Sequence, residues 1–183
     1  LNTFDLVMIS RSNPSGNFQT AASTAAWAGV TVPMIHLGGY AIRANRMGYT
    51  TGDTIPDTVG PVRLTLNAPN HPIFAGVARG ASNVMTNDYA DDVTAPFDPF
   101  TVQRGISVNT NPLPTGATLL ASLPDLAAGS PGMVIGEFPA GTKLSNATMD
   151  VQQGHRLVFL TGSRENDGLT AEGSGIFDLS PTG

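Results

Sequence analysis

The sequence DLVMIS, residues 5–10, decides the fold, because it is a short apolar run that ends abruptly in small and charged residues. Two later stretches have the same form: VPMIHL at residues 32–37 and RLVFLT at residues 156–161. A near-continuous apolar run of this length is typical of a parallel strand that is buried on both faces. The three stretches therefore predict neighbouring parallel strands of one sheet, and the carboxyl ends of such strands form the edge at which ligands bind.

The segments between these strands predict helices in the first half of the chain. Residues 18–28 (FQTAASTAAWA) are rich in alanine, the best helix former. Residues 40–46 (YAIRANR) follow a glycine pair and can form two further helical turns. A strand, a turn and a helix in alternation indicate an α/β fold.

The second half of the chain predicts further strands. Residues 62–66 (VRLTL) alternate as a half-buried strand does, and residues 132–138 (GMVIGEF) also indicate a strand. Residues 117–123 (ATLLASL) are compatible with either a strand or a helix. We therefore predict a flavodoxin-like (Rossmann-like) three-layer α/β sandwich, with a mainly parallel sheet and a β-rich C-terminal half that adds an antiparallel edge.

Length and composition limit the classes of protein to which this chain can belong. A chain of 183 residues is the size of one domain, and we expect residues 1–183 to be a single domain that is a fragment of a longer protein. The net charge is −5 and the basic residues are scattered, so nucleic acid is not an expected partner. No apolar run is long enough to predict a membrane span. Few lysines together with abundant Thr, Asn, Gly and Ala favour an extracellular or periplasmic location.

Several short motifs resemble those of the class I glutamine amidotransferase-like superfamily, and within it the trehalose-utilisation (ThuA-like) branch. These motifs are DLVMIS at 5–10, VPMIHLGG at 32–39, NHPIFAG at 70–76, NDY at 87–89 and GHRLVF at 154–159. In the true amidotransferases a cysteine nucleophile lies on the turn after a central strand, and here that turn is IHLGGY at 35–40. The chain contains no cysteine, which excludes glutaminase chemistry. The resemblance implies the fold, and its branch suggests carbohydrate processing.

The candidate ligand-binding residues follow the three parallel strands and are expected to meet at one edge of the sheet. They are Ser10, Arg11 and Ser12 after the first strand, Gly38, Gly39, Tyr40 and Arg43 after the second, and Ser163, Arg164 and Glu165 after the third. A guanidinium group is suited to binding a carboxylate, either of a ligand or of the protein itself. The arginines therefore predict either a ligand-facing site or an internal Arg–Glu clamp.

None of these candidate ligand-binding residues is predicted to be catalytic. A serine–histidine pair is conceivable between Ser10, Ser12 or Ser15 and His36 or His155, but the G-x-S-x-G motif is absent. A single histidine in an apolar strand, such as His36, is more typical of a packed core residue.

The densest acidic stretch supplies the candidate metal ligands Asp88, Asp91 and Asp92. Closely spaced carboxylates are what a hard cation such as Ca²⁺ requires, although this segment lacks the alternating ligands and central glycine of the twelve-residue calcium loop. A solvated acidic loop is the competing interpretation, and no other cofactor is expected.

Two functions remain open at the level of sequence. The first is a non-catalytic binding or structural module of a secreted bacterial multidomain protein, which interacts through the carboxyl edge of its parallel sheet or by self-association. Its expected partners are other domains of the parent protein, a glycan or a second copy. The alternative is a hydrolase or carbohydrate-processing enzyme that uses a Ser/His or metal site at the same edge.

Overall fold

A six-stranded mixed sheet forms the centre of the computed structural model, which describes residues 1–11, 13–58, 61–90, 106–124 and 131–162. In chain order the strands are β1 (Val7–Ile9), β2 (Met34–His36), β3 (Thr65–Leu66), β4 (Thr118–Ser122), β5 (Met133–Phe138) and β6 (Arg156–Phe159). Their order across the sheet is β1-β2-β6-β5-β4-β3. Strands β1, β2 and β6 are parallel, whereas β6, β5, β4 and β3 pair antiparallel.

The three parallel strands predicted from the apolar runs are confirmed as neighbours in one sheet. Val7 of β1 pairs with Met34 of β2, and Met34 pairs with Arg156 of β6. The strand predicted over 132–138 is also confirmed as β5, and the ambiguous segment 117–123 forms β4. The β-rich second half does supply an antiparallel edge to the sheet.

The predicted flavodoxin-like (Rossmann-like) three-layer class is wrong. Within the described ranges there is one α-helix, α1 (Ala21–Ala28), and about 13% of the residues are helical. The other helical pieces are 3₁₀ turns at Ser15–Phe18, Tyr40–Ile42 and Pro72–Phe74. The chain passes from β2 to the parallel strand β6 through β3, β4 and β5, so the helices that would cover both faces of a doubly wound sheet are replaced by strands and turns.

Helix α1 packs on one face of the sheet. Thr20 caps its first turn by accepting a hydrogen bond from the Ser23 main-chain N–H at 3.1 Å. Because the helix consists mostly of small residues, Phe18 just before it supplies the large apolar contact, with its ring 5.6 Å from that of Trp27 and 6.1 Å from that of His36. The face of the sheet under α1 is therefore filled by aromatic rings.

A buried arginine joins this helix to the sheet. The Arg156 side chain is fully buried, and its Nη1 donates to the carbonyl oxygens of Val32 and His155, each at 3.0 Å. Its Nη2 donates to the carbonyl oxygens of Trp27 at 3.3 Å and Val30 at 2.5 Å. The guanidinium group thus satisfies main-chain acceptors at the end of α1, in the turn that follows and at the start of β6.

We expect Arg156→Met to lower the free energy of unfolding by about 3–5 kcal/mol, because several buried carbonyl groups lose their donor together. Equilibrium urea denaturation measures the change. Arg63→Met is the matched control, since the exposed Arg63 Nε contacts the Asp88 carboxylate at the surface, and its loss is expected to cost less than about 1 kcal/mol. Equal costs for the two variants would contradict this role of Arg156.

Candidate functional site

The carboxyl ends of β1, β2 and β6 meet at one edge of the sheet, where two glycines permit close approach of the chain. A Cβ atom placed on Gly38 would lie 3.7 Å from the Arg11 Cα atom, which follows β1. A Cβ atom on Gly39 would lie 2.7 Å from the Ser107 Cβ atom, which is closer than side chains can approach. Gly39 therefore allows a distant segment, residues 106–109, to close over the end of β2.

A network of hydrogen bonds connects the carboxyl edge of the sheet to residues 106–109. The Ser107 hydroxyl lies 3.0 Å from Asp57 Oδ1 and 3.0 Å from the Gly162 carbonyl oxygen, so its proton can be donated to either. The Tyr40 hydroxyl lies 3.3 Å from both carboxylate oxygens of Asp57. The Thr161 hydroxyl donates to the Leu37 carbonyl at 3.0 Å. These bonds connect the ends of β2 and β6 directly.

Arg43 occupies the same edge beside Tyr40. Its Nε donates to the Tyr40 carbonyl at 2.9 Å, its Nη2 donates to the Ser15 hydroxyl at 3.3 Å, and its guanidinium carbon lies 4.9 Å from the centre of the Tyr40 ring. This arrangement combines two hydrogen bonds with a cation–π contact. The guanidinium of Arg43 therefore holds the Tyr40 turn against the segment that precedes α1.

His36 lies directly beneath the edge, at the end of β2. Its side chain is fully buried between the rings of Phe18 and Tyr49, and among the described residues neither ring nitrogen has a hydrogen-bond partner. Burial lowers the pKa of His36 from 6.5 to about 4, an effect that the nearby Gly38 main chain partly opposes. The imidazole is therefore neutral at physiological pH, and none of the serines that the structure describes has its hydroxyl within hydrogen-bonding distance of it.

The structure brings together six of the predicted binding residues. Ser10, Arg11, Gly38, Gly39, Tyr40 and Arg43 all lie at the carboxyl edge. Arg11 is largely buried there, whereas Ser10 is exposed and its carbonyl accepts from Asn13 N–H at 3.2 Å. The other predicted members, Ser12, Ser163, Arg164 and Glu165, lie outside the described residues, so the predicted Arg–Glu clamp stays a prediction.

The predicted acidic metal site is only partly within the described chain. The Asp88 carboxylate contacts Arg63 Nε at 2.5 Å, on the side of the sheet near β3 and away from the edge. Asp91 and Asp92 lie outside the described residues. Over the part of the chain that the structure describes, no group of three or more His, Asp or Glu side chains is arranged to hold a metal ion. Calcium binding by this stretch stays a prediction.

A second polar cluster, which the sequence did not predict, lies at the other end of β6. Glu137 of β5 faces two histidines: its Oε1 lies 2.7 Å from His155 Nε2 and 3.5 Å from His71 Nε2. His71 Nδ1 accepts a hydrogen bond from Ile73 N–H at 3.4 Å, so the proton of its neutral form is on Nε2, toward Glu137. Partial burial tends to raise the pKa of Glu137, but His155 and His71 outweigh it, and the pKa lies below its usual value.

The face of the sheet opposite α1 contains a half-open apolar cavity of about 350 Å³ between β2, β6 and β5 and residues 73–89. Its lining is apolar apart from two hydroxyls: Ile35, Leu37, Ile73, Phe74, Val77, Met85, Ile135 and Phe159, with Tyr89 and Thr161. The Tyr89 hydroxyl donates to the Leu160 carbonyl at 3.4 Å, and Thr161 donates to Leu37 as described above. The cavity therefore presents hydrophobic surface, and both of its hydroxyls are already engaged.

The sequence analysis does not predict Asp57, Ser107 or Glu137 as site residues, nor the contacts of His71 and His155 with Glu137. Ser107 is 50 residues from Asp57 and 55 from Gly162, and neither neighbourhood contains a motif. His71 lies in the NHPIFAG motif, and its side chain caps the 3₁₀ turn Pro72–Phe74. The one available signal for the second cluster was the position of Glu137 inside an otherwise apolar strand, where a carboxylate requires a partner.

Comparison with known proteins finds no match: no protein-family model, no curated protein and no solved structure matches this chain. The likeness to the ThuA-like branch therefore stays a prediction. Within the described residues, none of the helices has the length and apolar character needed to traverse a lipid bilayer.

We expect the stability of the native protein to fall as the pH drops from 6.5 to 4, because the unfolded chain protonates His36 while the folded chain keeps it neutral. His36→Phe removes this dependence. Between pH 7.5 and 4.5 the native protein should lose about 2–3 kcal/mol more than the variant does. Denaturation at the two pH values measures the difference, and parallel losses in both proteins would refute the buried neutral state.

The contribution of Glu137 to stability also depends on pH, and here the group that titrates is a carboxyl with a lowered pKa. Because its folded pKa is lowered, its contribution is complete above the unfolded value of 4.5 and disappears as the pH falls through the folded pKa. Glu137→Gln should therefore cost about 1 kcal/mol at pH 7, and the cost should shrink below pH 4. A constant cost between pH 7 and pH 3 would argue against charged contacts to His71 and His155.

Proposed function

We propose that this chain is a non-catalytic binding module that acts by associating with another polypeptide. At the carboxyl edge of the sheet the polar side chains form hydrogen bonds with one another and with the main chain, and this observation supports the proposal. Asp57, Tyr40 and Ser107 form one network, and Arg43 binds main-chain and side-chain oxygens of its own chain. Catalysis of hydrolysis needs a nucleophile within hydrogen-bonding reach of a base, together with room for a substrate.

The two histidines other than His36 do not supply a base at this edge. His71 and His155 contact Glu137 at the amino end of β6, whereas the predicted binding residues lie at the carboxyl ends of the parallel strands. Among the described residues that line the apolar cavity there is no carboxylate, histidine, lysine or arginine. Its chemistry suits contact with hydrophobic groups and does not favour bond cleavage.

Exposed hydrophobic side chains support association as the function. The most exposed large ones in the described residues fall in two places, and the larger group lies within the first eight residues: Leu1, Phe4, Leu6 and Met8. Single exposed hydrophobics are normal on a surface, whereas four within eight residues support the proposal of an interaction site. Export, which rests on composition, remains part of this proposal, as do membership of a multidomain bacterial protein and binding of a glycan.

A hydrolase is the alternative function, and the pair of Ser107 and Asp57 is the observation that favours it. A hydroxyl 3.0 Å from a carboxylate can be polarised by it. Ser107 is fully buried, however, and also lies 3.0 Å from the Gly162 carbonyl, so a substrate would have to displace both contacts. We therefore rank binding above hydrolysis.

We expect the purified chain to show no turnover of esters, glycosides or glutamine in a broad hydrolase screen. Ser10→Ala, Ser107→Ala and His36→Ala, each checked for folding by circular dichroism, are the controls. Turnover by the native protein that is lost in one of these folded variants would overturn the non-catalytic proposal and favour the hydrolase.

A further inference from the structure

The side chain of His71 makes two contacts that only the neutral form of its ring can make together. Its Nδ1 accepts a hydrogen bond from the Ile73 main-chain N–H at 3.4 Å, and its Nε2 lies 3.5 Å from Glu137 Oε1. A neutral imidazole has one nitrogen that accepts and one that donates, whereas both nitrogens of the protonated ring are donors. Protonated His71 therefore keeps its contact with Glu137 and loses its contact with Ile73.

The contact with Ile73 caps a short turn that belongs to the wall of the apolar cavity. The 3₁₀ turn Pro72–Phe74 follows His71, and the side chains of Ile73 and Phe74 line the cavity. The first N–H groups of a helical turn have no acceptor within the turn, and the His71 ring supplies one for Ile73. The protonation state of His71 thus bears directly on the wall of the cavity.

The turn Pro72–Phe74 borders a second cavity as well. This one is open, has a volume of about 560 Å³ and is lined by residues of the segment 69–79, among them His71 and Phe74. Segments that border empty space on more than one side have fewer packed neighbours, and they open at a lower free-energy cost than the core does. A single hydrogen bond therefore carries a larger share of the stability of this turn than it would in the core.

The charged and titratable groups beside His71 in the described residues come from three parts of the chain. They are Glu137 of β5, His155 at the start of β6, and Arg79, which borders the same open cavity. His155 Nε2 contacts the same Glu137 oxygen at 2.7 Å, and the Arg79 guanidinium donates to the Pro69 carbonyl. Glu137 is therefore the group that attracts a protonated His71.

We propose that protonation of His71 is a switch that releases the turn Pro72–Phe74 and opens the apolar cavity as the pH falls. The proton gained at Nδ1 removes the acceptor of the Ile73 N–H, and the positive charge strengthens the attraction of the ring to Glu137. Both effects act in the same direction. The inference goes beyond the proposed function, because it concerns access to the cavity and not the partner that the module binds.

Two substitutions of His71 fix the two states of the cap. His71→Asn provides an amide oxygen that accepts from the Ile73 N–H at every pH tested, and His71→Ala removes the acceptor at every pH. Histidine side chains change charge between pH 5 and 8, so the proteins are compared at pH 7.5 and pH 5.5. The pKa of about 4 for His36 lies below this range, so the core histidine stays neutral throughout.

Hydrogen exchange of the Ile73 amide, followed by NMR, reports the cap directly. We expect the native protein to match His71→Asn at pH 7.5 and to approach His71→Ala at pH 5.5. At pH 5.5 the native amide should exchange about fivefold faster than that of the Asn variant, as the loss of one hydrogen bond implies. Comparison of the proteins at a single pH cancels the intrinsic dependence of exchange on pH.

Binding of the neutral fluorescent probe N-phenyl-1-naphthylamine reports the opening of the cavity. We expect the native protein to bind the probe at least about threefold more tightly at pH 5.5 than at pH 7.5, because a larger fraction of molecules is open. His71→Asn should show no such change. His155→Gln is the matched control, since it removes the other histidine on Glu137 and leaves the cap, and its response should persist.

Several results would overturn the switch. They are Ile73 exchange that equals that of the Asn variant at both pH values, a pH response that persists in His71→Asn, and a response that is lost in His155→Gln. Exchange that responds to pH without a change in probe binding would also overturn it. If circular dichroism shows that His71→Ala does not fold, the native protein and His71→Asn decide the matter. Hydrolytic turnover in the screen above bears only on the proposed function.

Discussion

The buried guanidinium group of Arg156 is the interaction on which much of the remaining structure depends. It lies at the start of the central strand β6, and it donates to carbonyl groups at the end of α1 and in the turn that leads into β2. Main-chain carbonyl oxygens accept hydrogen bonds from both its Nη1 and its Nη2, and these bonds replace part of its hydration. Gly154 permits the arrangement, because a Cβ atom there would lie 2.5 Å from Arg156 Nη1 and 2.6 Å from the Thr31 carbonyl oxygen.

This constraint sets the position of the carboxyl edge. Once β1, β2 and β6 are aligned as parallel neighbours, Arg11, Gly38 and Gly162 follow strands that end on the same side of the sheet. The edge is then closed by Ser107, which comes from the β-rich half of the chain and joins it to Asp57. An edge of this type supplies ligand sites in many α/β proteins, but here its polar groups mostly bind one another. That difference is the physical basis for preferring a binding module to an enzyme.

The mixed character of the sheet gives its two faces different surroundings. One face is filled by α1 and by the rings of Phe18, His36 and Tyr49. The other is covered over β5 and β6 by residues 73–89, which leave an apolar cavity, and at β1 it exposes Leu6 and Met8. A doubly wound sheet would place helices on both faces. In the described chain the path from β2 to β6 runs through β3, β4 and β5, and no crossover helix lies on this second face.

The sequence by itself determined the three parallel strands and β5, because a continuous apolar run requires burial wherever the chain takes it. It also excluded glutaminase chemistry, since a thiolate needs a cysteine. Only the tertiary structure decided that the path from β2 to β6 contains antiparallel strands, that Ser107 meets Asp57, and that Glu137 binds two histidines. These contacts join residues that are tens of positions apart, and local propensity does not encode which distant segments will meet. They depend on strand register and on the course of irregular segments, which are settled when the whole core packs.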